Sequence, residues 1–546
     1  MLLAVLAVGV SLAADATTYI TAVRAFADKA VRYGRDVYGP KHTPLFVDGL
    51  NVDTLEPVTW KQRNGREWVL SDLGNQQIFF RTLVGLTALT GDAAYKRAAA
   101  EATRYALDNL REGGLLMWGG HITYNASDDV VFAAEDKGKV HELKNHYPFY
   151  ELFWEVDPKA AKDLIEEMWN DHILNWANLG FNRHAVHKPR GALWKNEYKG
   201  DPVFFWGKGL TFINAGSDLY YAAAMLSKFT GDPEPLVWSK RLANRYVETR
   251  NPKTGIGGYQ FSQTNAWCDF VGKILGDRAI YQYGDDFKGH YVVEGTLFPC
   301  YGSTPEICPR VCQFYLGEML GTDGAEFTKW SLEELTAWGK SAYREKDFSF
   351  IPMLTDGTSM EGYVCKKDGY FGPKGRVLKA GRAGAKDFWT YALAVRMTGD
   401  GFMWQMARSI ARGNEFGDIG AKAGAKPNLN LATPEAEPTA LLGFLELHKK
   451  TRRSEFLAMA QRIGDNILAA RYQKNFFTLS KNHQYAKFDR LEPLTLLHLA
   501  AVLLGKSALV PIYNGGAGFF AAAYGDRNER EDAWLYTRLR PGAEAR

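Results

Sequence analysis

The sequence has few cysteines, little surplus charge and no long apolar run. Five cysteines in 546 residues exclude a disulfide-built scaffold. Cys268, Cys300, Cys308, Cys312 and Cys365 form no CxxC pair, which argues against a zinc knuckle. One disulfide has room in an exported chain, but nothing in the spacing forces it. The net charge of +4 is too weak to mark a nucleic acid or an anionic membrane as partner. No stretch of about 20 apolar residues follows the N-terminus, so no transmembrane helix is expected. A Walker A loop, a dinucleotide-binding GxGxxG and a GxSxG nucleophile elbow are absent. Asp128-Asp129 is too short for the DDxxD metal cluster of a terpene cyclase.

What is present is ordinary globular composition, 46% hydrophobic and 23% charged, with 15 Trp and 27 Tyr. So many rings suit a large core or a cleft that grips sugars. The first residues, MLLAVLAVGVSLAADA, place an uncharged apolar run before small residues and resemble a signal peptide over 1–14. Export to the periplasm or beyond is the expectation, with one domain over 15–546.

A repeated junction organises the chain. Thr90-Gly91-Asp92, Thr230-Gly231-Asp232 and Thr398-Gly399-Asp400 each separate an apolar helical pattern from a more charged one. Weaker versions stand at Val156-Asp157-Pro158, Gly321-Thr322-Asp323-Gly324 and Lys450-Thr451-Arg452. Gly closes the first helix in a left-handed cap and Asp or Thr opens the second. Six hairpins follow: 72–111, 143–176, 211–250, 309–345, 385–413 and 436–470. The helical patterns at 17–34 and 492–505 would pair as a seventh. Hairpins of this kind bury their faces only by stacking or closing on one another. The expected fold is all-α dominated, an (α/α)7 toroid with long loops carrying a few short strands. The residues ahead of the inner helices would form one rim: Asp72, Asn75, Glu142, Lys144, Asn145, His146, Trp206, Lys208, Arg310, Lys379, Arg382, Lys386, Asn428 and Asn430. That rim is polar, basic and aromatic, and suits an acidic ligand.

Six of the 11 histidines fall between residues 121 and 187. Five of these lie in GGHITYN (119–125), KVHELKNHYPFYE (139–151) and FNRHAVHKP (181–189), and His172 stands between the last two. HELKNH is not a zincin motif, because five residues on a helix set its histidines about 140° apart. His121, Glu142 and His184 form one candidate metal triad. His141, His146 and His187 could equally support such a site from behind.

At these residues the chain resembles family 2 of the polysaccharide lyases, the metal-dependent pectate lyases. The resemblance rests on His121, Glu142 and the Arg183-His184 pair, in three separate segments over 119–189. It implies an (α/α)7 barrel and metal-assisted β-elimination of α-1,4-linked polygalacturonate to unsaturated oligogalacturonides. It implies His121, Glu142 and His184 as metal ligands and Arg183 as the base. Two imidazoles and a carboxylate suit Mn²⁺, Co²⁺ or Ni²⁺ better than Ca²⁺. Arginine holds its proton to high pH, so Arg183 could instead clamp a uronate carboxylate, leaving Lys144, Lys195 or His187 as base. Lys144, Lys195, Lys208, Arg310 and Arg382 would bind carboxylates along the substrate, and Trp118 a sugar face. Two other readings compete. One is a metal-independent glycoside hydrolase on uronic-acid oligosaccharides, using two of Asp128, Asp129, Glu142, Glu151 and Asp218. The other is a periplasmic oligouronate-binding protein without catalysis.

Overall fold

The structure is a computed structural model. It describes residues 2–133, 140–205, 210–262, 267–268, 272–273, 307–366, 368 and 373–543, with the side chains of 2–15, 133, 267, 268, 272 and 273 outside the description. Trp206, Lys208, Cys300 and the side chain of Cys268 therefore lie outside the described residues.

Among the described residues the chain is dominated by α-helices joined through short junctions. They are α1 (Leu2–Tyr33), α2 (Gln77–Thr90), α3 (Ala93–Asn109), α4 (Tyr150–Val156), α5 (Pro158–His172), α6 (Ile213–Thr230) and α7 (Glu234–Glu248). They continue with α8 (Ile307–Leu320), α9 (Ala325–Ser341), α10 (Ala385–Thr398), α11 (Gly401–Gly413), α12 (Pro438–Thr451), α13 (Ser454–Arg471) and α14 (Leu491–Leu503). Both helices of each of the six expected hairpins are found in order; α2 packs on α3, α6 on α7, α8 on α9 and α10 on α11, and α1 packs against α14 as the expected seventh pair. The all-α class and its seven helix pairs stand as read from the sequence.

The junctions work as their residues dictate. Gly91, Gly231 and Gly399 have φ of 78°, 74° and 71°, a region that costs glycine nothing. Asp92 accepts the Ala94 amide and Asp400 accepts the Phe402 and Met403 amides, capping α3 and α11. The threonines Thr90, Thr230 and Thr398 each donate to the carbonyl four residues back. Arg452 takes the glycine position of the weaker junction at φ 59°, and Thr451 makes the same bond to Leu447.

The chain divides into two compact units: residues 1–167, 434–445 and 458–546, and residues 168–433 and 446–457. In the first unit α14 packs on α1 and α2, and α2 on α3. In the second α6 packs on α8 and α8 on α10, while α7 meets α9 and α9 meets α11. This makes two layers. The first-layer helix α6 is buried continuously from Ile213 to Ser227. The outer helix α11 buries one stripe, Met403, Trp404, Met406, Ala407, Ile410 and Ala411, at the spacing of one helical face.

Short strands occupy the connections. β1 (Thr59–Lys61), β2 (Glu67–Ser71), β3 (Ile122–Asn125) and β4 (Val130–Ala133) form one antiparallel sheet in that order. Its registers pair Thr59 with Val69, Leu70 with Asn125 and Ile122 with Ala133. This sheet sets the position of His121, which directly precedes β3.

One boundary differs from the expectation. The hairpin at 143–176 begins as a helix only at Tyr150. Asn145 and Tyr147 have φ of 40° and 41°, which a helix does not accommodate, and Pro148 follows them. Glu142, Lys144 and His146 thus stand on an irregular loop and not on the helix end.

Candidate active site

In the first unit, three chain segments meet around Glu142. Trp118 and His141 bridge in parallel, and the Glu142 amide donates to the Trp118 carbonyl at 3.1 Å. Gly119 has φ 153°, and a Cβ there would lie 2.5 Å from the Glu142 Cβ. The GGH segment therefore needs glycine because another backbone passes against it. Glu142 is 0% exposed. Trp118, 3% exposed, is packed among the rings of His141, His146 and Phe153.

His121 is half-buried, and its Nδ1 stands 2.8 Å from the Ala521 carbonyl oxygen. A carbonyl only accepts, so Nδ1 carries a proton, and in the neutral ring the lone pair lies on Nε2. His146 is buried with neither ring nitrogen hydrogen-bonded. Burial pushes its imidazole down to about 4, against the nearby Glu142 charge. Lys144 sits with its Nζ 3.9 Å from the centre of the Phe519 ring.

Behind these residues lies a buried ionic cluster. Lys487 donates to Asp532 Oδ2 at 2.9 Å, and Asn75 donates to the same oxygen at 3.3 Å. Asp48 accepts the Asp72 amide at 2.7 Å, and Asp72 accepts the Gly74 amide at 2.9 Å. Burial pushes the Asp48 carboxyl up to about 7 and raises that of Asp72, with Asp48 and Asp532 adding repulsion on the latter. Burial works against the Lys487 ammonium, yet Asp532, Asp489 and Asp48 hold its pKa above the ordinary lysine value.

In the second unit, Arg183 and His184 are joined directly. Arg183 Nε donates to His184 Nε2 at 3.2 Å, and Asn182 Oδ1 fixes the His184 amide at 3.0 Å. His172 Nδ1 donates to the Asn182 carbonyl at 2.7 Å, so the turn is held from below. His187 is exposed and its Nδ1 meets the buried Asp171 at 3.0 Å. Lys195 is exposed on a single 3-10 turn, Leu193–Lys195.

Arg310, on the first turn of α8, is 7% exposed, with its Nε unbonded. Lys386 at the start of α10 reaches Cys308 Sγ at 3.3 Å, bringing the two helix starts together. Arg382 donates to the Gly413 carbonyl. The side chains of Cys308, Cys312 and Cys365 are buried.

The sequence-predicted residues thus gather in two sets. Trp118, His121, Glu142 and Lys144 share one region of the first unit. Arg183 pairs with His184 in the second, which also carries Lys195, Arg310 and Arg382. Among the described residues no three His, Cys, Asp or Glu side chains stand together at metal-ligand spacing. The donor chemistry nevertheless fits a divalent transition metal: a buried carboxylate, and an imidazole whose Nε2 is left open by its Nδ1 bond.

Reasoning from sequence missed Phe519 and the segment around it, Asn514–Ala522. The signal was there in NGGAGFF, with three glycines in four residues of its centre. A Cβ on Gly518 would lie 2.2 Å from the Gly74 carbonyl oxygen, a close approach that demands glycine.

The sequence model of the periplasmic pectate lyase family matches residues 43–523. A pectate disaccharide-lyase of Dickeya dadantii (strain 3937) is 28% identical over 534 residues, covering 93% of each chain. Among solved structures, a D-mannose isomerase aligns with TM-score 0.43 at 13% identity, over 74% of this chain and 88% of that one. An unsaturated glucuronyl hydrolase specific for heparin aligns with TM-score 0.39 at 11% identity, over 89% and 98%. These scores mark a loose resemblance, and the family match stands without it.

Proposed function

The chain belongs to the periplasmic pectate lyase family, and from that membership we propose that it cleaves α-1,4-linked polygalacturonate by metal-assisted β-elimination. It is a polysaccharide lyase; the match over residues 43–523 carries this reading. The metal and the roles of single residues are the finer part of the proposal.

In the elimination a base removes the proton at C5, which lies α to the uronate carboxylate. The C–H electrons form the C4=C5 double bond, the C4–O bond breaks, and the leaving oxygen takes a proton. Without help the C5 proton is far too weakly acidic for this. A divalent cation would supply charge neutralisation at the carboxylate as the enolate-like charge develops. His121, Glu142 and His184 would hold it. Their mixed nitrogen and oxygen donors favour Mn²⁺, Co²⁺ or Ni²⁺ over Ca²⁺.

Arg183 is the proposed base. Its Nε now donates to His184 Nε2, and one lone pair serves one partner at a time. Use of that nitrogen as a ligand would release the Arg183 side chain, which takes the C5 proton only as neutral guanidine and as guanidinium would clamp the uronate carboxylate instead. Lys144, Lys195, Lys208, Arg310 and Arg382 are proposed to bind carboxylates of the substrate. Arg310 supports this best, since a buried guanidinium with an unbonded Nε gains from an anion. For Trp118 the packed ring offers little surface, and its part is to hold His141 and His146 in place.

We place the enzyme in the periplasm or outside the cell. Among the described residues no helix is long and apolar enough to cross a membrane. A cut after Ala14 would spare Ala16, Tyr19, Val23 and Phe26, which are buried in the first unit.

The test is metal content together with product. His121→Ala and His184→Ala should each lose bound metal, and polygalacturonate should yield products that absorb in the ultraviolet through the new double bond. Full metal occupancy in both variants would reassign the ligands. Reducing ends without absorbance would mean hydrolysis.

A further inference from the structure

We propose that the strap Asn514–Ala522 is part of the active site, with Phe519 a positioning residue that sets both His121 and Lys144. The inference rests on the reading of His121 as a ligand and Lys144 as a substrate contact. The strap is tied down along its length. Ala517 donates from its amide to the Asn145 carbonyl at 3.1 Å, and Ala521 to the Gly120 carbonyl at 2.7 Å. The Phe520 amide donates to the buried Asp532 at 2.9 Å. The strap thus clamps both the GGH segment and the Glu142–His146 loop.

Between these anchors, two functional groups are set. The Ala521 carbonyl accepts from His121 Nδ1, which fixes the tautomer and the ring plane and aims the Nε2 lone pair. Such a partner behind a ligand typically governs about 10–100-fold in metal affinity. The Phe519 ring is half-buried, meets His121 edge-on at 6.4 Å and lies nearly parallel to His146 at 6.5 Å. Its face lies against the Lys144 ammonium at 3.9 Å, a cation–π contact that places the charge. Removing the ring takes away both the packing that seats the carbonyl and the platform under Lys144.

The experiment titrates Mn²⁺ into apo enzyme by calorimetry and measures KM and kcat on polygalacturonate for wild type and three variants. Phe519→Ala should weaken Mn²⁺ binding at least tenfold and raise KM. Phe519→Leu, which restores bulk without the π face, should recover Mn²⁺ affinity and keep the raised KM. Phe519→Tyr should recover both. Wild-type Mn²⁺ affinity in a folded Phe519→Ala would overturn the inference, as would equal KM values for the Leu and Tyr variants, which remain testable if the alanine variant does not fold. If wild type itself binds no Mn²⁺, the metal reading fails and this inference falls with it. If wild type binds and the variants do not differ, only the strap's role fails.

Discussion

Replacing Gly119 by alanine tests whether the GGH segment is there to let Glu142 approach. The added Cβ would lie 2.5 Å from Glu142 Cβ, 3.0 Å from its amide nitrogen and 3.1 Å from its Cα. Carbon atoms settle at about 3.5–4.0 Å, so one backbone must retreat by about 1 Å. Neither side is a flexible tip that can swing away. The residue also sits at φ 153°, which alanine adopts only with strain. Overpacking of this kind costs about 1–3 kcal/mol of stability. A displacement of about 1 Å at a catalytic group costs about 100-fold in rate, or about 2.7 kcal/mol in the barrier. Gly119→Ala should therefore fold, melt a few degrees lower, and lose about two orders of magnitude in kcat/KM on polygalacturonate. Gly65→Ala is the control. It has φ 83° with nothing within 4 Å of its Cβ, so it should lower stability through backbone strain and leave turnover intact. A Gly119→Ala enzyme with wild-type kcat/KM would refute the reasoning, because the close approach would then have no bearing on Glu142.

Further expectations concern the base, the pH response and the junctions. Arg183→Ala should nearly abolish turnover at unchanged metal content; retained turnover would move the base to Lys144, Lys195 or His187. Burial pushes the Asp387 carboxyl up to about 7, against about 3.9 in an unfolded chain. Between those values the folded state binds more protons, so this group lowers stability as pH rises, by about 4 kcal/mol at most above pH about 7. Asp387→Asn, which keeps an acceptor for the Gly384 amide, should raise Tm at alkaline pH, with the gain vanishing near pH about 4; a gain independent of pH would contradict the assignment. Arg452→Gly should stabilise by about 1 kcal/mol, since φ 59° is left-handed and costs a side-chain-bearing residue that much. Denaturant unfolding checks it, and an unchanged midpoint would count against it.

The fold was legible because its punctuation is local. A Thr-Gly-Asp junction carries its own caps within a few residues, and the apolar spacing on either side gives the helix faces. Even Arg452, without the glycine, keeps the threonine bond that marks the turn. The pairing of α1 with α14 follows from what the other hairpins leave over. The start of α4 was less legible, because its loop turns on positive φ at Asn145 and Tyr147, and of the two only asparagine is a residue type that favours that region. For the candidate site the sequence offered residue types in three segments, helped by the resemblance to a lyase family; the structure brings Trp118, His121, Glu142 and Lys144 together in the first unit and joins Arg183 to His184 in the second. The strap was not legible. His121 and Ala521 are 400 positions apart, and a contact to a backbone carbonyl leaves no side-chain pattern. The cluster of Asp48, Asp72, Lys487 and Asp532 escaped for the same reason, since each charge looks like a surface residue until burial joins them.

The central claim is elimination that depends on a bound metal. The direct measurement follows ultraviolet absorbance of polygalacturonate with enzyme stripped by a chelator, then again after Mn²⁺ is restored. The account predicts no rise after chelation and a rise on adding Mn²⁺ back. Undiminished absorbance growth in the stripped enzyme would contradict the metal's role, and reducing ends without absorbance would contradict elimination itself.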